Sequence, residues 1–377
     1  MNLNLPFGQK NYLALTGDSQ NSMLATIARS RSGAANLRIL ARTDSAITAE
    51  VAIPRLLAAA GSIKGQVSMT LPLAFFELVN LSIPAMPDGS VGKALPYHLA
   101  RSLGSPLNEF TYDWQITGRF KDRLQITVYL FPVGIFHKIR REFARKQLEL
   151  AFFEPDVFSA FAFLAQENML SENEASLCVL LWQDSISLAV YEKGKLPLAR
   201  TVKAPQPQGE INLQAPEQQT PQAMPEPDDE LLIFEQTPQP DRDHLDTTSI
   251  LADFCVLTTA PAADQSQAGS PAAAKTEDIA ASLDESETGE TTGNSWAEYL
   301  NNIPLEIMRT RDYYASIQKG GTIKNIFVGG ADDFWPEFTE ACGSLLGLKC
   351  KPLTVAGAGE DAPSLLQVMA IGTGARW

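Results

Sequence analysis

The sequence predicts an α/β protein built in two halves and split by a long acidic insert. Three observations carry this reading. Strand-like and helix-like segments alternate through residues 12–203, a second ordered stretch begins at Trp296, and residues 204–293 between them shift to Pro, Gln, Glu, Asp, Ala, Ser and Thr. Such an insert cannot bury enough apolar surface to offset its ordering entropy, so it is expected to be disordered. Two apolar islands interrupt it, Leu231–Phe234 and Ile250–Leu257.

The elements follow in order. YLALTGDSQNSMLATIARSRSG, residues 12–33, reads as a strand, a polar turn over Thr16–Asn21 and a second strand. A Gly- and Ser-bearing turn of this kind can converge backbone N–H groups on a phosphate, and an ordinary hairpin explains it as well. Val67–Leu71 and Leu124–Leu130 read as strands from their alternation and β-branched content. Between them, Gly89–Leu103 reads as a helix stopped by Gly104, with Pro106 beyond. Phe136–Lys146 is amphipathic: Phe136, Ile139 and Phe143 share one face, and basic residues cover the other. That basic face suits solvent, an anionic lipid surface or an acidic partner. After the insert come a helix through Glu306, Met308 and Arg309 towards Tyr313 and Tyr314, the strand Ile323–Val328, the turn Gly329-Gly330-Ala331 and a helix over Phe338–Leu346.

Composition narrows the function classes. At 377 residues the chain suits two or three domains, and 45% hydrophobic residues suffice for a sizeable core. The net charge of −14 argues against nucleic-acid binding. The insert holds 18 of the 44 acidic and two of the 30 basic residues, so the remainder is nearly neutral, at +2. Cys178, Cys255, Cys342 and Cys350 form no CxxC pair and only three histidines accompany them, so reduced, packing thiols are expected and no metal site. MNLNLPFGQK has no apolar h-region and no run approaches a membrane span, so no secretory signal is expected and membrane association would come through a partner or a surface.

Several motifs in order resemble PilM-type proteins, actin-like cytoplasmic components of type IV pilus machines related to FtsA and to the cytoplasmic part of GspL. They are Pro84-Ala85-Met86-Pro87-Asp88, Ser105-Pro106-Leu107-Asn108-Glu109-Phe110, Tyr112-Asp113-Trp114, Glu306-Ile307-Met308-Arg309 with Tyr313-Tyr314, and Ile326–Ala331. The resemblance covers residues 8–203 and 296–377. It implies an actin-like (ribonuclease H-like) fold of two halves around a cleft. Residues 1–71, rejoined by 151–175, would form the first half, with a small subdomain inserted at 72–150. Residues 176–203 and 294–377 would form the second half, with 204–293 the insert.

Active members of the family bind ATP between the halves, using an aspartate and glycines in the first hairpin. Aligned without gaps, Thr16 stands at the aspartate position, Asp18 at a phosphate-facing glycine and Met23 at the lysine. In LLWQDSISLAVYEKGKL, Leu180 and Trp182 take the acid and glycine positions of the second phosphate hairpin. Asp18, Ser19, Asn21, Asp184, Ser185, Gly329 and Gly330 are what remains of a degenerate nucleotide cleft, so no cofactor, no metal and no catalysis are expected, ATP with Mg²⁺ being the disfavoured possibility. The resemblance implies a non-catalytic scaffold of a pilus or type II secretion-like machine at the inner face of the inner membrane. Its partner would be the Asn-Leu-bearing cytoplasmic tail of a PilN-like protein; a cytoplasmic motor ATPase and self-association stay open. Within the insert, Glu210-Ile211-Asn212-Leu213-Gln214 resembles that tail. The alternative is an ATP-binding actin-like protein, a weak ATPase or an FtsA-like filament former.

Overall fold

A computed structural model describes residues 12–29, 35–61, 63, 65–207, 295–317, 321–347, 349–355 and 363–375. The chain divides into two compact units, and all of these residues lie in the first, residues 1–215 with 292–377. Residues 208–293 of the insert, with its apolar islands, the 210–214 motif and Cys255, lie outside the described residues.

The first half is a five-stranded sheet in the order β3-β2-β1-β4-β8. Strands β1 (Tyr12–Gly17), β2 (Ser22–Arg29) and β3 (Ala35–Thr43) form an antiparallel meander. After helix α1 (Ala52–Ala59), β4 (Gly65–Leu71) joins β1 in parallel, and β8 (Leu148–Pro155) joins β4 in parallel. The second half repeats this plan. Its sheet runs β11-β10-β9-β12-β13, built from the meander β9 (Ala175–Leu181), β10 (Ser185–Glu192) and β11 (Lys195–Lys203) with parallel β12 (Ile323–Gly329) and β13 (Cys350–Pro352). Between β4 and β8 the chain inserts a small sheet of order β5-β7-β6, from β5 (Glu77–Pro84), β6 (Phe110–Arg119) and β7 (Arg123–Pro132). Helices α2 (Asp88–Ser102) and α3 (Val133–Arg145) accompany it.

Local sequence explains these choices. Helices α2, α3, α4 (Asp156–Gln166) and α7 (Ser364–Gly374) each begin directly after a proline, Pro87, Pro132, Pro155 and Pro363, whose ring fixes φ and whose missing N–H costs nothing at a helix start. Strand β9 is buried along its whole length because both faces are covered. Its residues alternate: Cys178 and Leu180 join the core against the first half, while Leu177, Val179 and Leu181 pack against α5 (Trp296–Ile317) and α6 (Trp335–Leu346). The small sheet has its own core, with Val91, Leu95 and Leu99 of α2 on Ile126, Val128 and Leu130. In α3, Ile139 and Phe143 are buried and the basic residues exposed, the amphipathic division read from the sequence.

Two boundaries differ from the sequence reading. Strand β8 is already in the first sheet at Leu148, paired with Gly65, so the return to the first half starts before residue 151. Residues 294–377 do not all stay with the second half. Helix α7 is buried on every side, packs on α4 and lies against β1, β2 and β4. Its even apolar sequence, LLQVMAIG, gives no stripe to mark a single partner. Gly372 lets it approach: a Cβ there would lie 2.0 Å from the Ser159 carbonyl oxygen.

Candidate functional site

The two hairpins expected to cradle phosphate face one another. In the first, the Asp18 carboxylate accepts the backbone N–H groups of Gln20 (2.7 Å) and Asn21 (2.6 Å), and the Asp18 N–H donates to the Asn21 carbonyl (2.8 Å). The donors that would converge on an anion are spent inside the turn. Burial raises the Asp18 pKa, the turn N–H groups oppose the rise, and the charge of Asp184 adds to it. The structure thus brings Asp18 and Asp184 together. Asp184 lies in the turn between β9 and β10, accepting the Ser185 hydroxyl at 3.2 Å, while its carbonyl accepts the Ala204 N–H. Ser19 and Asn21 are half-buried and Ser185 is buried.

Thr16 is fully buried and donates to the Leu366 carbonyl of α7. Leu180 is fully buried, and Trp182 lies across the junction with its indole N–H on Asp156, 2.6 Å away. Gly329 and Gly330 sit at the end of β12, where the room a glycine provides is taken by the chain itself. A Cβ at Gly329 would meet Leu365 at 2.9 Å, and one at Gly330, where φ is +87°, would meet the Leu181 carbonyl oxygen at 2.2 Å. Their role in this fold is close packing. No cluster of three or more His, Cys, Asp or Glu able to hold a metal exists among the described residues.

The sequence reading missed the group that joins the halves here. Asp156, the first residue of α4, is fully buried and accepts four hydrogen bonds: from the N–H groups of Leu73 (3.1 Å) and Val157 (2.7 Å), the Trp182 indole (2.6 Å) and the Ser187 hydroxyl (2.6 Å). Burial pushes its pKa up to about 7 against those bonds. Tyr191 adds a second tie, donating to the Val157 carbonyl at 2.6 Å.

A groove of about 470 Å³ opens between β6 and β7 of the small sheet and the β8–α4 corner. Its aromatic walls interlock, with ring centres 4.7 Å apart for Phe131–Phe153, 5.3 Å for Phe136–Phe153 and 5.2 Å for Tyr129–Phe158. Register explains the arrangement: Asp113 pairs with Tyr129, and Thr111 with Phe131, so these side chains share one face of the sheet. Strand β6 is an edge strand, paired with β7 alone in its sheet. Two buried polar atoms in the lining have no hydrogen-bond partner, the Tyr129 hydroxyl and Gln115 Oε1. No single stretch of sequence announces this groove, because its walls come from four segments; the aromatic density of FEPDVF and FTYDW was the available signal.

The repeated strand order, a three-stranded meander extended by two parallel strands in each half, is the duplicated actin-like fold, as the sequence motifs implied. Comparison with solved structures agrees. A chain of the PilM-PilN type IV pilus biogenesis complex superposes with a TM-score of 0.58 at 12% identity over 98% of both chains. The cytoplasmic domain of EpsL, an inner membrane component of the type II secretion system of Vibrio cholerae, follows at TM-score 0.36 and 12% identity, over 52% of this chain and 71% of that one. EutJ from Carboxydothermus hydrogenoformans gives 0.40 at 12% identity, over 98% and 90%. Only the first defines a shared fold. No protein-family profile and no curated protein sequence matches the chain.

Proposed function

We propose that this protein is a non-catalytic, cytoplasmic scaffold of a type IV pilus or type II secretion-like assembly machine. It sits at the inner face of the inner membrane by holding the cytoplasmic tail of a PilN-like membrane protein. The observation that carries the reading is the aromatic groove beside the β6 edge. Rings supply apolar burial for alternate side chains of an extended segment, and an unpaired strand edge supplies main-chain hydrogen bonds, the two components of strand-addition recognition. The fold shared with a chain of the PilM-PilN complex supports the same assignment. The reading as non-catalytic is supported by the self-capped Asp18 turn and by the burial of Thr16, Leu180 and Trp182 at the positions where the family resemblance expects ligand-facing groups. No helix among the described residues is long and apolar enough to cross a membrane, which fits attachment through a partner.

The test is calorimetric titration of the protein with a synthetic cytoplasmic tail of a PilN-like protein from the same organism, for the wild type and for Phe158→Ala at the groove wall. Micromolar binding that the substitution weakens at least tenfold is expected. Binding insensitive to Phe158→Ala, or turnover of Mg-ATP, would overturn the proposal.

A further inference from the structure

The outward face of α3 takes no part in the groove or in the facing hairpins. From Val133 to Lys146 the chain carries Lys138, Arg140, Arg141, Arg145 and Lys146 against one acid, Glu142. At about 100° per residue, Gly134, His137, Lys138, Arg141 and Arg145 fall opposite the buried Ile139 and Phe143, and all five are exposed. Two carboxylates answer these cations. Glu50 accepts Lys138 at 3.1 Å, in a pair open to water on both sides, and Glu142 pairs with Arg145, which leaves a surplus of three positive charges. Helix α1 packs beside α3 and extends the face: Arg55 is exposed one turn after Val51, and residues 51–60 contain no acid. Two of the four large hydrophobic side chains exposed among the described residues border these cations. They are Val51 (55% exposed), next to Glu50, and Ile135 (37%), one turn before Lys138.

These cations are spread along one side of a helix, and none of them lines the groove. An acidic peptide gains specificity from a pocket or a strand edge that fixes its backbone. A field of phosphates needs no such fixing: each Lys or Arg near an anionic bilayer favours adsorption about fivefold whatever its rotamer, and aliphatic side chains at the margin enter the headgroup layer. Exposed ion pairs such as Lys138–Glu50 are weak enough to exchange for phosphate. We propose that the outward face of α3, with Val51 and Arg55 beside it, docks on the anionic phospholipid headgroups of a bilayer. Phe136, on the inward side of the same helix, lines the groove, so this docking sets the groove about one helix diameter, about 10 Å, from the headgroups. The contact is separate from the groove's own ligand and stands or falls without it.

The experiment is co-sedimentation of the full chain with vesicles of phosphatidylethanolamine and phosphatidylglycerol, and with vesicles of phosphatidylcholine alone, in about 0.1 M salt, where the screening length is about 10 Å. Two double variants accompany the wild type: Arg141→Gln with Arg145→Gln on the face, and Lys203→Gln with Lys324→Gln, exposed positions of the second half that change the net charge equally. At a net charge of −14 the chain as a whole is repelled by an anionic surface, so a preference for such vesicles reads the local face. The wild type and the Lys203/Lys324 variant are expected to bind the phosphatidylglycerol vesicles at least tenfold more tightly than the phosphatidylcholine ones, and the Arg141/Arg145 variant to lose at least fivefold of that preference. Equal binding to both vesicle types, no binding to either, or equal losses in the two variants would overturn the proposal. Tighter binding to fluorescein-labelled poly-glutamate than to the vesicles, compared per anionic group, would assign the face to an acidic protein and overturn it as well. The vesicles carry no protein, so each of these results leaves the reading of the groove to its own titration.

Discussion

Asp156 offers a stability test that separates two opposing physical effects. In the unfolded chain its carboxyl titrates near pH 4. In the fold, burial pushes it up to about 7 although four donors point at it. Between those values the folded protein holds a proton that the unfolded chain has released. This contribution to stability is therefore present in acid and lost as pH rises towards 7. Over about three pH units, at about 1.36 kcal/mol each, the linkage is on the order of 4 kcal/mol, and between pH 5 and 7.5 about 2–3 kcal/mol. The protonated carboxyl has an acceptor available, since Ser187 can turn its hydroxyl from donor to acceptor; the indole and the two backbone amides cannot. Asp156→Asn does not titrate. Its oxygen can keep Leu73 and Val157, but its amide meets the Trp182 N–H donor to donor, at a cost of about 1–3 kcal/mol. Urea unfolding of both proteins, followed by tryptophan fluorescence at pH 5 and 7.5, reads the difference. The wild type is expected to be the more stable at pH 5, with its margin shrinking by about 2–3 kcal/mol at pH 7.5. A margin that stays constant or widens with pH would show that the four donors hold the carboxylate ionised, and the burial argument would fail.

Other outcomes follow from single contacts. Calorimetric titration with Mg-ATP is expected to give binding no tighter than about millimolar, because loss of two charge-assisted contacts at about 1.5–3 kcal/mol each shifts affinity at least a hundredfold; a low-micromolar constant would contradict the reading of the site as non-catalytic. Gly372→Ala, which drives a Cβ to 2.0 Å from a backbone oxygen, is expected to lower stability by on the order of 3 kcal/mol or to prevent folding. Gly343→Ala, in the interior of α6 with nothing within 4 Å, should raise stability by about 1 kcal/mol in the same denaturation assay. Tyr129→Phe removes a buried hydroxyl that has no partner, so the protein should gain about 1 kcal/mol in urea.

Much of the fold could be read directly. Alternation marked β4 and β7, the Ile323–Val328 run marked β12, and the amphipathic pattern of Phe136, Ile139 and Phe143 marked α3, because each feature is local and periodic. At the two facing hairpins the sequence shows Thr16, Leu180 and Trp182, which the structure finds buried, but nothing in the sequence says that Asp18 folds back on its own turn. Gly330 reads as a turn residue in isolation; that its space is taken by the Leu181 carbonyl depends on a strand 150 residues earlier in the chain. The groove was hidden for the same reason. Tyr129 and Asp113 become neighbours through strand register, and Phe153 reaches them only after β8 docks on β4. Helix α7 misled because an evenly apolar helix states that it is buried and not beneath which sheet.

The placement of α7 has a consequence for how the molecule comes into being. Thr16, in β1, bonds to Leu366, 350 residues later. At about 5–20 residues per second, roughly 20–70 seconds separate the two during synthesis. For that interval the inner face of the first sheet, with Met23 and Ile27 exposed on it, lacks its lid, even though every strand of that sheet is complete by Pro155. The first half is thus an early-emerging surface that the last helix must close, and a nascent chain of this protein is a client for whatever shields apolar sheet faces until residues 364–374 arrive.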